Sequence, residues 1–194
     1  EYEFLPWSRS YQYVVRGQRD GSLTWAPTPE KVEEALFSDG VMRHTKVCFH
    51  LKSFAFDWRR IEDLSGLRIG ATASYTYGRA FDTAVNDGRL RVEFVPDDLQ
   101  NLKKLFRRRI QLFVSDIDVG YDLADTHFSP YEAGTLTHHP KPIQETLTCV
   151  ILTRKNLKKS RRLLTIFNQG LETLRGSGVY DEMLAASRRG AYRQ

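Results

Sequence analysis

No apolar run in the chain approaches the ~20 residues that a membrane span needs, and no secretion leader is visible at its start. Cysteine is scarce: Cys48 and Cys149 stand alone, far apart, at no metal-binding spacing. Both lie in β-like runs, "TKVCFH" and "TLTCVIL". They read as two buried thiols, or as a disulfide if the strands are neighbours in an oxidising compartment. There is no Gly-x-Ser-x-Gly elbow and no phosphate loop ending in Gly-Lys-Ser/Thr, which leaves the chain without the marks of the common hydrolases and nucleotidases. The histidines at 44, 50, 127, 138 and 139 share no metal-helix spacing, and His138-His139 sits among prolines as a surface loop would. Zinc-finger spacing, helix-turn-helix and an RNP-like aromatic motif are also missing, which counts against nucleic acid as a partner.

What is present is a chain of 194 residues, 41% hydrophobic and 12% aromatic. That is enough for one large or two small domains with real cores, and it argues against disorder. The net charge is +5. Much of it lies in "KKLFRRR" (103–109) and "RKNLKKSRR" (154–162). Leu99, Leu102, Leu105 and Phe106 recur at helical spacing through the first run, so its charges form a solvated face.

Along the chain, strand and helix signals alternate. "EYEFLP" reads as a strand and "WSRSYQYVVRG" as a helix closed by Gly17; "DGSLTWAP" is a strand. "TPEKVEEALF" is a helix with Thr28 as cap, Pro29 in the first turn and Glu30 at the positive dipole end. "HTKVCFHLK" is a strand, and 53–66 is irregular. "LRIGATA", "LRVEFV", "IQLFVSD" and "ETLTCVILTRK" are strands. They are separated by helices at "YGRAFDTAVNDG", "DDLQNLKKLFRRR" and "DVGYDLADTHF", then by a proline-bearing segment, 129–144. The chain ends in helices. This order predicts an α/β protein with mostly parallel sheets, in which ligands sit beyond the carboxyl ends of the strands.

Two such ends carry chemistry. After "LRIGATA" come Ser74, Tyr75, Thr76 and Tyr77, more hydroxyls than one turn needs. They serve either to cap the next helix or to cradle an anion at its N-terminus. After "IQLFV" come Asp116 and Asp118, which suit acid/base work, a cation such as an ammonium, or a helix cap. Lys31 adds a positive charge in the first turn of another helix. A cation, an anion-binding turn and a carboxylate together match a zwitterion.

The succession "PWSRSYQ" (6–12), "GQRDGSLTWAPTPEKVEEALFSDG" (17–40), "DLSGLRIGATASYTYG" (63–78), "RRIQLFVSD" (108–116) and "FNQGLETLRGSGVYDEML" (167–184) resembles the family 3 bacterial extracellular solute-binding proteins, the periplasmic receptors of polar amino-acid ABC transporters. The resemblance implies a type II periplasmic-binding fold of two lobes joined by two crossing strands that close like a hinge. Lobe 1 would be 1–51 and 145–194, and lobe 2 52–144. The two cysteines would lie near the crossings, where a disulfide becomes feasible. The implied function is non-catalytic binding of an amino acid or related small polar solute between the lobes. It would hand the solute to ABC-transporter membrane subunits, or serve as the extracytoplasmic sensing domain of a signalling protein.

By position, Thr24, Trp25 and Ala26 would meet the ligand's amino end. Ser74, Tyr75 and Thr76 would bind its carboxylate, and Asp116 its ammonium. The family's "TPER" arginine is Lys31 here, which can hold a carboxylate as a point charge but not in a two-pronged grip. The resemblance begins after the family's first strand and helix. An incomplete lobe 1 would expose a sheet edge, from which homo-oligomer formation is expected. No cofactor or metal is implied.

Overall fold

The computed structural model describes residues 3–73 and 75–192. The chain divides into two compact units. Unit 1 is 1–43 with 146–194, and unit 2 is 44–145. The chain passes from one to the other along two ten-residue strands, β3 (Met42–Leu51) and β8 (Gln144–Thr153). The first boundary falls inside β3, eight residues before the 51/52 border expected from sequence. The reason is that the second half of β3 is committed to unit 2, where Lys46–Phe49 pair with another strand of that unit.

Unit 1 begins with α1 (Trp7–Val15), ended by Gly17 at a φ of 76°. The segment expected as a leading strand has no regular structure over residues 3–6, and its first two residues lie outside the described ones. β1 (Gly21–Trp25) follows, then α2 (Pro29–Glu34), whose N-cap Thr28 accepts from the Lys31 amide. The helix stops earlier than its sequence suggests. Ala35–Phe37 forms β2, because these residues pair with Ile151–Thr153 of β8. β1 pairs with the other side of β8 and is an edge strand. α7 (Leu157–Gly176), capped by Asn156, and α8 (Val179–Arg188) complete the unit. Its buried cluster is small: Val14, Trp25, Ala35 and Ile151.

In unit 2 the sheet runs β3, β6 (Leu112–Asp116), β4 (Ile69–Thr72), β5 (Val92–Val95), with β7 (Leu136–His138) also on β3. A 3-10 turn (Ile61–Leu64), α3 (Arg79–Asn86), α4 (Asp98–Phe106), α5 (Ile117–His127) and α6 (Pro130–Ala133) lie between the strands. Side chains alternate between two cores. Cys48, Leu112 and Val114 join Trp58, Leu64 and Phe81 in one; Val47, Phe49 and Phe113 join Leu102 and Leu105 in the other. Burial on both faces explains why "KVCFH" and "LFV" read as continuous apolar runs.

The expectation of mostly parallel sheets needs correcting. Among the pairings described, those of β4 with β5 and with β6 are parallel. Each antiparallel pairing described involves β3 or β8. Those two strands pass between units instead of closing a strand–helix–strand crossover, so nothing forces them to run with their neighbours. The segment 129–144 is not wholly a loop, since it holds α6 and β7. Its histidines are packed: His139 is 9% exposed and donates from Nε2 to Asp57 at 3.0 Å, while His138 Nδ1 lies 2.7 Å from the Tyr121 hydroxyl. Cys48 and Cys149 are both free and buried.

Candidate functional site

The unit 2 candidates gather at the carboxyl ends of β4 and β6. Ser74 lies outside the described residues. Tyr75 and Thr76 are exposed, whereas Tyr77 is 1% exposed. Among the described residues of this turn, the hydroxyls of Tyr75, Thr76 and Tyr77 do not cap the following helix. The N-cap of α3 is Gly78, at a φ of 95°, with no side-chain bond, so the capping explanation fails for these residues. Tyr77 instead closes the end of β4. Its hydroxyl accepts from the Thr72 amide at 2.6 Å and donates to the Thr72 carbonyl at 3.1 Å. Burial pushes this phenol up to about 12. Tyr77→Phe strands both Thr72 backbone groups and is expected to cost about 1–3 kcal/mol in urea unfolding. An unchanged midpoint would show that Tyr77 acts only as a hydrophobic filler.

The turn is held from two sides. Asp82 of α3 accepts the Tyr77 amide at 3.0 and 3.2 Å. Lys46 of β3 donates from Nζ to the Thr76 carbonyl. Below lies a buried polar set, in which the Thr72 hydroxyl donates to Asp98 and Asn101 Nδ2 donates to Thr72 Oγ1 at 3.3 Å. Burial holds the Asp98 carboxyl above the usual aspartate range, against the lowering effect of the Thr72 bond.

Asp116 ends β6, opposite Lys46 in the β3 register. Its Oδ1 accepts the amides of Asp118 at 3.0 Å and Val119 at 3.4 Å, which makes it the N-cap of α5. Its Oδ2 is 3.3 Å from His44 Nδ1, an ion-pair distance without hydrogen-bond geometry. That buried oxygen has no hydrogen-bond partner among the described residues, nor has His44 Nε2. Burial favours the neutral acid, but the His44 imidazole and the two amides outweigh it and hold the carboxyl below its usual range. One carboxylate oxygen therefore holds the start of α5, and the other is buried beside the His44 imidazole.

In unit 1, Trp25 is largely buried against Trp7 and Tyr11, at ring separations of 4.8 and 5.0 Å, and its Nε1 donates to Ser22. Lys31 Nζ lies 5.7 Å from the Trp25 ring centroid. Thr24 is exposed at a φ of 67°, where the β1–β8 register shifts, and Ala26 is half-buried beside it. The structure thus brings Trp25 and Lys31 together in unit 1, and the turn and Asp116 into the reach of Lys46 and His44 in unit 2.

Lys46 and His44 were not singled out from sequence. The available signal was their alternation on a strand that turns fully buried one residue later. A cavity of about 170 Å³ opens at the opposite end of the unit 2 strands, among Leu51, Phe54, Arg68, Leu105, Arg108 and Gln111; its lining has no carboxylate, histidine or cysteine. Among the described residues no cluster of metal-ligating side chains occurs, and no helix is long and apolar enough to cross a membrane.

No family model matches the chain, and no curated protein does. Solved structures do. An ancestral cationic amino acid solute-binding protein superposes with a TM-score of 0.72 at 16% identity, over 94% of this chain and 75% of its own. The fold is that of the amino-acid solute-binding proteins. The second substrate-binding domain of Lactococcus lactis GlnP, in its open conformation, matches with a TM-score of 0.71 at 17% identity, over 95% and 76%. A histidine kinase sensor domain with similarity to periplasmic binding proteins gives 0.64 at 16%, over 95% and 76%. At these identities the likeness concerns the fold, the type II periplasmic-binding architecture.

Proposed function

We propose that the protein is a non-catalytic receptor for an amino acid or closely related small polar solute, acting outside the cytoplasm and delivering its ligand to the membrane subunits of an ABC transporter. The observation that carries this reading is the ionised carboxylate of Asp116, fixed at a strand end with its buried Oδ2 unpartnered among the described residues. Such a carboxylate is a partner for an ammonium group. Lys31 supplies the charge for the ligand's carboxylate. As a lysine it contributes attraction without a bidentate grip.

The sensor domain among the structural neighbours favours a second reading, in which the same binding event drives signalling. The coding sequence flanking the chain separates the two. The test of binding itself is a thermal-shift screen against amino acids, amines and small carboxylates. A ligand at ~100 times its dissociation constant adds ~2.7 kcal/mol. Lys31→Ala is expected to reduce that shift. A screen without any stabilising compound overturns the receptor reading, and an unchanged shift in Lys31→Ala removes that residue from the site.

A further inference from the structure

The end of unit 2 away from the candidate site holds the cavity of about 170 Å³, and its chemistry is different. The floor is apolar: Leu105 and Ile110 are each 1% exposed and Leu51 is 9% exposed. The rim carries the exposed Arg68 and Arg108, with the half-buried Gln111 beside them. The end of α4 positions Arg108. Its amide donates to the Leu105 carbonyl and the Arg109 amide donates to the Lys104 carbonyl, both at 2.9 Å. In this closing pattern the left-handed position ordinarily falls to glycine. Here it is an arginine at a φ of 56°. A side chain at that angle costs backbone energy that glycine avoids, and this one lines the cavity. Arg68, immediately before β4, donates from Nη2 to the Arg108 carbonyl at 3.4 Å, and its amide donates to Gln111 Oε1 at 2.9 Å. That bond orients the Gln111 amide and leaves its Nε2 a donor without a partner among the described residues. No carboxylate lines the cavity among the described residues, and neither guanidinium makes an ion pair there. Glu93, whose carboxyl feels the Arg68 charge, is taken by Lys104 at 2.7 Å.

We propose that this cavity is a ligand site of its own, for a small carboxylate with an apolar body such as an aryl group or a short alkyl chain. An apolar floor with a few convergent polar groups is the usual make-up of a small-molecule site. The body of the ligand lies on Leu51, Leu105 and Ile110, where removal of apolar surface from water drives association. The carboxylate meets the planar forks of Arg68 and Arg108, which match its geometry, and the free donor of Gln111. The volume is below the roughly 300 Å³ of sites for drug-sized ligands, which limits the occupant to a small molecule. None of these residues belongs to the candidate site at the other strand ends, so the inference is independent of the receptor reading.

The test is a titration of the whole isotope-labelled chain with phenylacetate and with phenylacetamide, its uncharged counterpart, followed by amide chemical shifts. Phenylacetate is expected to bind at least ten times more tightly than phenylacetamide and to move the amides of Arg68, Arg108 and Gln111. Arg108→Gly removes one guanidinium and relieves the left-handed turn. It is expected to weaken phenylacetate at least tenfold while melting no lower than the wild type. Arg68→Gln is expected to weaken phenylacetate likewise, and it supplies the test by itself should the first variant misfold. Unchanged phenylacetate affinity in these variants overturns the proposal. So does equal affinity for the two probes, or the lack of a saturable shift at those amides at millimolar concentration. Affinity that falls in Lys31→Ala but survives both arginine substitutions also overturns it, because the probe is then held at the candidate site.

Discussion

Asp116→Asn is expected to lose most ligand affinity while leaving α5 in place. The asparagine keeps an oxygen for the amides of Asp118 and Val119, so the helix start survives. What disappears is the charge at Oδ2, and with it a charge-assisted bond to a ligand ammonium worth about 1.5–3 kcal/mol, roughly 10- to 150-fold in affinity. Asp116→Ala should cost about 1 kcal/mol of fold stability besides, through the lost cap. Titration calorimetry and thermal melting of the two variants separate the effects. An asparagine variant that binds like the wild type would remove Asp116 from the site.

The same substitution has a pH signature. The folded Asp116 carboxyl is held below its unfolded value, so its contribution to stability is present above the unfolded value and is lost as pH falls through the folded one. Asp98 works in the opposite sense: raised in the fold, it contributes below its unfolded value and loses that contribution as pH rises through the folded one. Asp116→Asn should therefore flatten the acid limb of a stability profile.

Hydrogen exchange is expected to divide the molecule. Unit 2 carries two extended cores on either side of its sheet, whereas unit 1 has the small Val14–Trp25–Ala35–Ile151 cluster. Unit 1 also leaves Phe4, Trp7, Leu23, Leu163, Ile166 and Met183 exposed. At ~25 cal/mol per Å² of apolar surface, such exposure forfeits much of what burial would contribute. Amides of β1 and α7 should then exchange at least tenfold faster than those of β4 and β6, through openings that leave unit 2 intact. Raising the protein concentration should slow exchange in β1 selectively, as its free edge pairs with a second copy. Equal protection in both units, or no dependence on concentration, would contradict this.

The parts of the fold legible in sequence were those written locally. Thr28-Pro29 announced a helix start that the structure contains, and "DDLQNLKKLFRRR" a second helix. Ala35–Phe37 went astray because its partner, β8, lies more than a hundred residues away, and no local pattern reports that pairing. The turn at 74–78 was readable as a cap or as an anion cradle; among its described residues the cap is not made, because the chain reaches α3 through Gly78 at positive φ and uses Tyr77 to seal the end of β4. Asp116 was visible as a strand-end acid with three competing roles. That its Oδ1 caps α5 while its Oδ2 lies beside His44 follows from where His44 and the start of α5 fall in space. Lys46 illustrates the limit best. In sequence it is one basic residue among many in a basic chain, and its partners become apparent only through the β3–β6 register.

The two free thiols have a practical consequence. Both are buried, and burial pushes each above the usual thiol range, so almost no reactive thiolate exists at neutral pH. Maleimide dyes would pass them by. A cysteine introduced at an exposed position could then be labelled singly in an otherwise unaltered chain.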